Sequence, residues 1–223
     1  MSGRAFFVVA TLWPALVGAA AGQFTPLSRD LNDAGFRLIE VRSGVSVYQH
    51  RRSALINVAA EAWMAASPEA LQRAFVDYQR QRQVIRRLAE VQILSRSSPA
   101  QLLVYQRLAL PMVSDRDYVL DVRWGRQQDT FWVRYLVPPG SAVAPRAGVV
   151  RVPLHTASWQ IRSDRRGASF VRYQMMLDLA GWIPRFLARR GAADELPELF
   201  ENLCRLALSK ELPQGTRCIR RHR

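Results

Sequence analysis

"LPMVSDRDYVLDVRW" occupies residues 110–124, and its second half alternates with a period of two. Arg116, Tyr118, Leu120, Val122 and Trp124 share one side of an extended chain. Asp117, Val119, Asp121 and Arg123 share the other side, which reads as the wetter one. Pro111 and Ser114 put a turn in front of it. The stretch therefore reads as a strand with one face on a core.

The same period continues on both sides. "VQILSRS" (91–97) and "LLVYQRLAL" (102–110) precede it, and "TFWVRYLVP" (130–138), "HTASWQIRS" (155–163) and "SFVRYQMMLDL" (169–179) follow. Short turns separate these segments, with one longer interruption at 138–149, so they predict an antiparallel meander rather than βαβ units. Further upstream, "FRLIEV" (36–41) and "VSVYQHR" (45–51) flank an "RSG" turn, and "LINVAAEAWM" (55–64) is a third strand.

Two segments change period. "SPEALQRAFVDYQRQRQVIRRL" (67–88) predicts one helix, with Ser67 as N-cap, Pro68 at the first helical position and Glu69 in the first turn. Leu71, Phe75 and Tyr78 follow at helical spacing. Residues 181–210 predict a closing helix, with Pro184 and Pro197 read as helix starts and Leu196, Leu199, Phe200, Leu203, Leu206 and Ala207 as its apolar stripe. Strands, a helix, a long antiparallel sheet and a last helix make an α+β chain. A curved antiparallel sheet wrapped around a long C-terminal helix, with a hydrophobic cavity between them, is the helix-grip arrangement.

The 223 residues suffice for one domain, and the formal charge of +14 is carried almost wholly by arginine, Lys210 being the only lysine. Such a charge raises anionic partners, a membrane surface or nucleic acid. The arginines are spread over several elements without an RNA-binding signature, which disfavours nucleic acid. At the N-terminus, Arg4, the apolar run 5–18 and the small residues Ala19–Ala21 read as an export signal cleaved before Gly22. The expected location is the bacterial periplasm. The expected organisation is a signal peptide (1–21), a lead-in (22–35), the folded domain (36–210) and a basic flexible tail (211–223). Cys204 and Cys218 lack metal-ligand spacing. One bridge between them, or a semi-buried Cys204 with a free Cys218 in the tail, both fit, and the second is the blander reading.

No nucleophile elbow, phosphate-cradling loop or histidine pair occurs, so neither a metal nor a cofactor is expected. His50 and His155 read as surface or hydrogen-bonded strand residues.

"GVSVYQ" (44–49), "SPEALQRAFVDY" (67–78), "VYQRLALPMVSDRDYV" (104–119) and "GASFVRYQMMLDLAGWIPRFL" (167–187) together resemble the StAR-related lipid-transfer (START) domain. The most specific piece is P-x-V-S-x-R-D-Y at 111–118, combined with G-W-I-P at 181–184. The resemblance spans roughly residues 30–210. It implies a helix-grip fold and a non-enzymatic domain that holds a lipid or other hydrophobic molecule under the last helix. "RQRQVIRRL" (80–88) departs from the family's tryptophan-acid motif, and Val122 stands where some lipid carriers place a buried charge.

On this basis the expected cavity wall comprises Arg116, Tyr118, Leu120, Val122 and Trp124, then Tyr135, then Tyr173, Met175 and Leu177. Arg116 is expected as a cation at the mouth, and Asp117 as a structural partner for a neighbouring loop or arginine. Two segments suit a lid: 138–148, rich in Pro, Gly and Ala, and 181–190. In the second, Trp182, Ile183 and Phe186 accompany Arg185, Arg189 and Arg190, a mixture suited to anionic membrane surfaces. The alternative is an enzyme like the helix-grip polyketide cyclases and aromatases, with Tyr105, Tyr118, Tyr135 and Arg116 as its working residues.

Overall fold

The computed structural model describes residues 24–140, 143–164, 167–181, 183, 185–208 and 217–220, with side chains of the last helix described from residue 194 onward. The strands are β1 (Phe36–Arg42), β2 (Val45–His50), β3 (Ile56–Met64), β4 (Leu88–Ser98), β5 (Gln101–Leu108), β6 (Asp115–Gln127), β7 (Thr130–Leu136), β8 (Val149–Arg151), β9 (Leu154–Ser163), β10 (Ser169–Asp178) and β11 (Ile219–Arg220). The helices are α1 (Pro68–Val76), α2 (Tyr78–Val84) and α3 (Arg185–Leu208).

One curved sheet runs β1-β2-β3-β10-β9-β7-β6-β5-β4, antiparallel throughout this path. It is the predicted meander, with β3 and β10 joining the N-terminal hairpin to the rest. Ser43 and Gly44 both take positive φ, which makes the β1–β2 connection the tight two-residue turn that suits a twisted hairpin. Two short strands escaped the sequence pattern. β8 pairs parallel to the start of β6, and β11 pairs with the end of β3.

The predicted single helix over 67–88 is two. Ser67 caps α1 by accepting from the Ala70 N–H at 3.3 Å, with Pro68 at the helix start. Asp77 then ends α1 and caps α2, accepting from the Arg80 N–H at 3.2 Å. A short acidic side chain that captures a backbone N–H competes with helix continuation, which explains the break. Gln72 fastens α1 to the sheet by donating to the carbonyls of Gly125 and Trp132, at 2.7 and 3.0 Å. Gly125 is needed there, since a Cβ would meet the Trp132 ring at 2.9 Å.

The concave face of the sheet and the three helices enclose the core. Leu196, Phe200, Leu203 and Leu206 of α3 are buried in it, and Phe200 packs on Trp159 at 5.2 Å between ring centroids. Pro197 lies inside α3 and does not start a helix, so the apolar stripe runs straight through it.

The tail departs from expectation at residues 217–220. Cys218 is bonded to Cys204, and β11 lies against β3. Glu201 reinforces this by accepting from the N–H groups of Cys218 and Ile219 at 3.1 and 3.2 Å. Cys218 and Ile219 are buried, so this part of the tail belongs to the core. The export signal lies outside the described residues.

Candidate functional site

Between the concave sheet and α3 lies a cavity of about 590 Å³. This is within the roughly 300–1,000 Å³ of sites that hold one drug-sized molecule. Its wall is built by strand alternation. Tyr118 and Leu120 face it from β6, Tyr135 from β7, Trp159 and His155 from β9, and Tyr173, Met175 and Leu177 from β10. The helices close it with Phe75 of α1, Tyr78 and Gln81 of α2, and Leu196, Leu199 and Leu203 of α3.

Three expected wall residues are elsewhere. Val122 is fully buried in the solid core, and Trp124 packs against that core without reaching the cavity. The reason is that α1 covers this end of the sheet, where Gln72 reaches Gly125 and Trp132. Arg116 is 2% exposed, and its guanidinium is consumed by backbone carbonyls. It donates to Leu179 O at 2.8 Å, to Ala180 O at 3.2 Å and to Ser114 O. It therefore ties the start of β6 to the loop before α3, and is no free cation at a mouth.

Asp117 points to the opposite side of the strand. Arg151 donates to both its oxygens, at 2.6 and 3.0 Å, and the Tyr105 hydroxyl donates to it at 3.2 Å. This anchors β8 beside β6. Tyr105 is thus spent on the outer face, and Arg116 is sealed. Of the four residues suggested for a cyclase, only Tyr118 and Tyr135 reach the cavity.

The segment 138–148 does not touch the cavity among its described residues. Arg146 pairs with Glu90 at 2.7 Å, and the carbonyls of Val143 and Ala144 accept from Arg151. The mouth is instead formed by the β5–β6 connection, where Leu110, Pro111 and Val113 line the opening. Met112 between them is 85% exposed and has φ +64°. Ile183 also lines the mouth. Trp182 and the side chains of Arg185, Phe186, Arg189 and Arg190 lie outside the described ones.

His155 departs most from its sequence reading. It is 6% exposed, and neither ring nitrogen has a hydrogen-bond partner. Tyr118 and Tyr135 meet it edge-on, at 4.8 and 5.3 Å. Burial pulls its pKa down to about 4, so the imidazole is neutral near pH 7. Burial likewise drives Tyr118 upward and pushes Tyr135 up to about 12, so both phenols stay protonated. Charge is confined to the rim, where Arg86, Arg87, Asp194, Glu195 and Glu198 border the opening. Arg87 pairs with Glu195 there, although burial dominates and raises the Glu195 pKa.

Alternation could have flagged His155 and Trp159, which share a face with Ala157 along β9. Tyr78 and Gln106 of β5, which also lines the cavity, needed the fold, because one follows a helix break and the other is polar on an apolar face. Among the described residues no His/Cys/Asp/Glu cluster suits a metal, and no helix is long and apolar enough to cross a membrane.

The comparisons agree with this architecture. A StAR-related lipid transfer protein from Xanthomonas axonopodis superposes with a TM-score of 0.70 at 24% identity, over 78% of this chain and 99% of that one. Human StAR-related lipid transfer protein 5 gives a TM-score of 0.77 at 16% identity, over 88% and 96%. In sequence, an uncharacterized protein of Pseudomonas aeruginosa is 28% identical over 107 residues, 48% of this chain and 52% of that protein. The chain thus spans about half the length of the curated relative it matches. The START domain family model matches residues 53–211, which covers β3 to β10 and all three helices, and the chain belongs to the START domain family.

Proposed function

We propose that this domain is a non-enzymatic carrier or sensor that holds one lipid or other hydrophobic molecule in the cavity under α3. The observation that carries this reading is the cavity itself: about 590 Å³, apolar over most of its wall, with charge only at the rim. Transfer follows if the mouth opens at a membrane. Exposed Met112, with Leu110, Pro111, Val113 and Ile183 behind it, suits entry into an anionic bilayer surface beside Arg86. The N-terminal sequence supports export to the periplasm, and the Cys204–Cys218 bond fits an oxidising compartment.

Native mass spectrometry of protein purified from its own host, followed by organic extraction, tests the proposal. One hydrophobic molecule per chain, extracted chemically unchanged, is the expected result. A chain that carries nothing and takes up nothing from vesicles would reject it. A chemically altered product would favour the cyclase reading.

A further inference from the structure

Four tyrosines from four elements meet in the cavity: Tyr78 at the start of α2, Tyr118 on β6, Tyr135 on β7 and Tyr173 on β10. They are close enough to act on one another. Burial first, and then the neighbouring phenols Tyr135 and Tyr118, push Tyr78 well above its ordinary pKa. The same order of causes holds for Tyr173, which feels Tyr135, Tyr118 and Tyr78. Only one bond joins them, Tyr135 to Tyr173 at 3.0 Å between hydroxyls. Among the described residues no protein group bonds the hydroxyls of Tyr78 and Tyr118, and neither oxygen is sealed off like the His155 nitrogens.

A buried phenol without a partner forfeits a hydrogen bond that water would have supplied. In a chamber whose wall is mostly apolar, with Gln106 of β5 paired opposite Tyr118, two such groups form a site for one oxygen. We infer that the deep end of the cavity recognises the hydroxyl of an uncharged hydrophobic alcohol, through the hydroxyls of Tyr78 and Tyr118. This rests on the carrier reading above and specifies its ligand class. A ligand hydroxyl accepts from one phenol and donates to the other, which a phenol pair allows because each oxygen can do both. A carboxylate or phosphate does not suit the position. The cations that border the cavity, Arg86 and Arg87, are at the rim, and an anion taken into a dry chamber without a counter-charge is strongly disfavoured. His155, edge-on to Tyr118 and Tyr135, is a positioning residue that holds two of the rings.

The test uses pyrene, an oxygen-free fluorophore, as the reporter of cavity filling in the full chain. Lauryl alcohol, lauryl chloride and laurate then compete for it, in the natural protein and in the Tyr78→Phe/Tyr118→Phe variant. The variant keeps both rings, so its pyrene uptake checks that the cavity survives. The alcohol is expected to compete about tenfold better than the chloride or laurate in the natural protein, the effect of one or two satisfied buried hydrogen bonds. In the double variant that advantage, measured against the variant's own pyrene affinity, is expected to shrink to about threefold or less. An advantage that persists in the variant, or laurate competing as well as the alcohol, overturns the inference while leaving the carrier reading intact. A natural protein that takes up no pyrene overturns both.

Discussion

The hydroxyls of Tyr135 and Tyr173 lie 3.0 Å apart although their strands are not neighbours, because β9 runs between β7 and β10. The bond reaches over Ala157, which pairs with Tyr135 on one side and with Met175 on the other. A small residue on the middle strand is what lets two long side chains meet above it. Replacing Ala157 by Leu is expected to separate the phenols and fill part of the chamber. Overpacking of this kind costs about 1–3 kcal/mol of stability. The expected readout is a lower urea midpoint together with weaker uptake of a bulky fluorophore. Unchanged uptake would mean that the cavity does not extend over β9.

Arg116 makes a second prediction, about stability rather than binding. Its three carbonyl partners are at Ser114, Leu179 and Ala180, so it closes the sheet onto the loop before α3. Arg116→Met keeps the aliphatic stem but strands those carbonyls, and should cost about 3 kcal/mol, in the range for charge-assisted bonds removed from a buried site. Arg116→Lys is expected to recover only part of this, because an ammonium lacks the planar fork. Denaturant unfolding of both variants checks it, and a loss below the noise in Arg116→Met would contradict the assignment.

The contrast between Arg116 and the rest of β6 shows what was legible in the sequence. Alternation correctly separated Arg116 from Asp117, and Asp117 does hold a neighbouring arginine, Arg151. It also placed Tyr118 and Leu120 on the chamber wall. It failed at Val122 and Trp124 because a period of two tells which face a residue is on, not what covers that face at each point along the strand. The cover is α1, whose docking through Gln72 depends on backbone carbonyls that no side-chain pattern reports. The break at Asp77 was hidden for a related reason. Its apolar residues keep helical spacing across the cap, so the hydrophobic pattern continues while the helix does not. β11 escaped because a two-residue strand is too short to have a period.

His155 gives the fold a pH dependence of definite sign. An imidazole titrates near 6.5 in an unfolded chain, and here burial lowers it to about 4. Between these values the unfolded chain binds a proton that the folded one refuses. Stability is therefore fully present above about 6.5 and falls as the pH drops toward 4, by up to about 3 kcal/mol from this group. The groups that face it, Tyr118 and Tyr135, stay neutral throughout this window because burial raises both. Glu195, with its pKa raised, acts in the opposite sense in the lower part of the window. The comparison that isolates the histidine is urea unfolding of the natural protein and His155→Phe across this range. The variant should lose the His155 part of the slope, and parallel curves would show that the imidazole is not held neutral.

The Cys204–Cys218 bond and Glu201 secure the same short strand from two directions. The bond closes a loop with a sequence separation of 14, which corresponds to about 3 kcal/mol in the chain-entropy account. Glu201 meanwhile accepts from two backbone N–H groups of that strand. Replacing both cysteines by Ala should lower stability by about that amount, and adding Glu201→Gln should lower it further, by about 1 kcal/mol. Reductant should destabilise the natural chain and leave the Ala variant unchanged. A natural chain indifferent to reductant would remove the bond from the account.

Met112 is placed where stability and docking should oppose each other. It is 85% exposed at the cavity mouth and adopts φ +64°, a conformation that a side chain bearing a Cβ disfavours by about 1–2 kcal/mol. Glycine adopts it freely, so Met112→Gly should leave the domain as stable as before or more stable. The same change removes the apolar tip that the carrier reading brings to the bilayer, and burying such a side chain contributes about 1.5–3 kcal/mol. Vesicle association is therefore expected to fall by at least about tenfold, since 1.4 kcal/mol is a factor of ten. Met112→Leu, which keeps an apolar tip, should associate almost as well as the natural protein. Leu110, Pro111 and Val113 line the cavity and Met112 does not, so the cavity and its pyrene uptake should be the same in all three proteins. Co-sedimentation with anionic vesicles, read beside the urea midpoint, separates the two effects. If Met112→Gly gains stability and still binds vesicles fully, the β5–β6 connection is not the docking element, and the strain at Met112 has another origin.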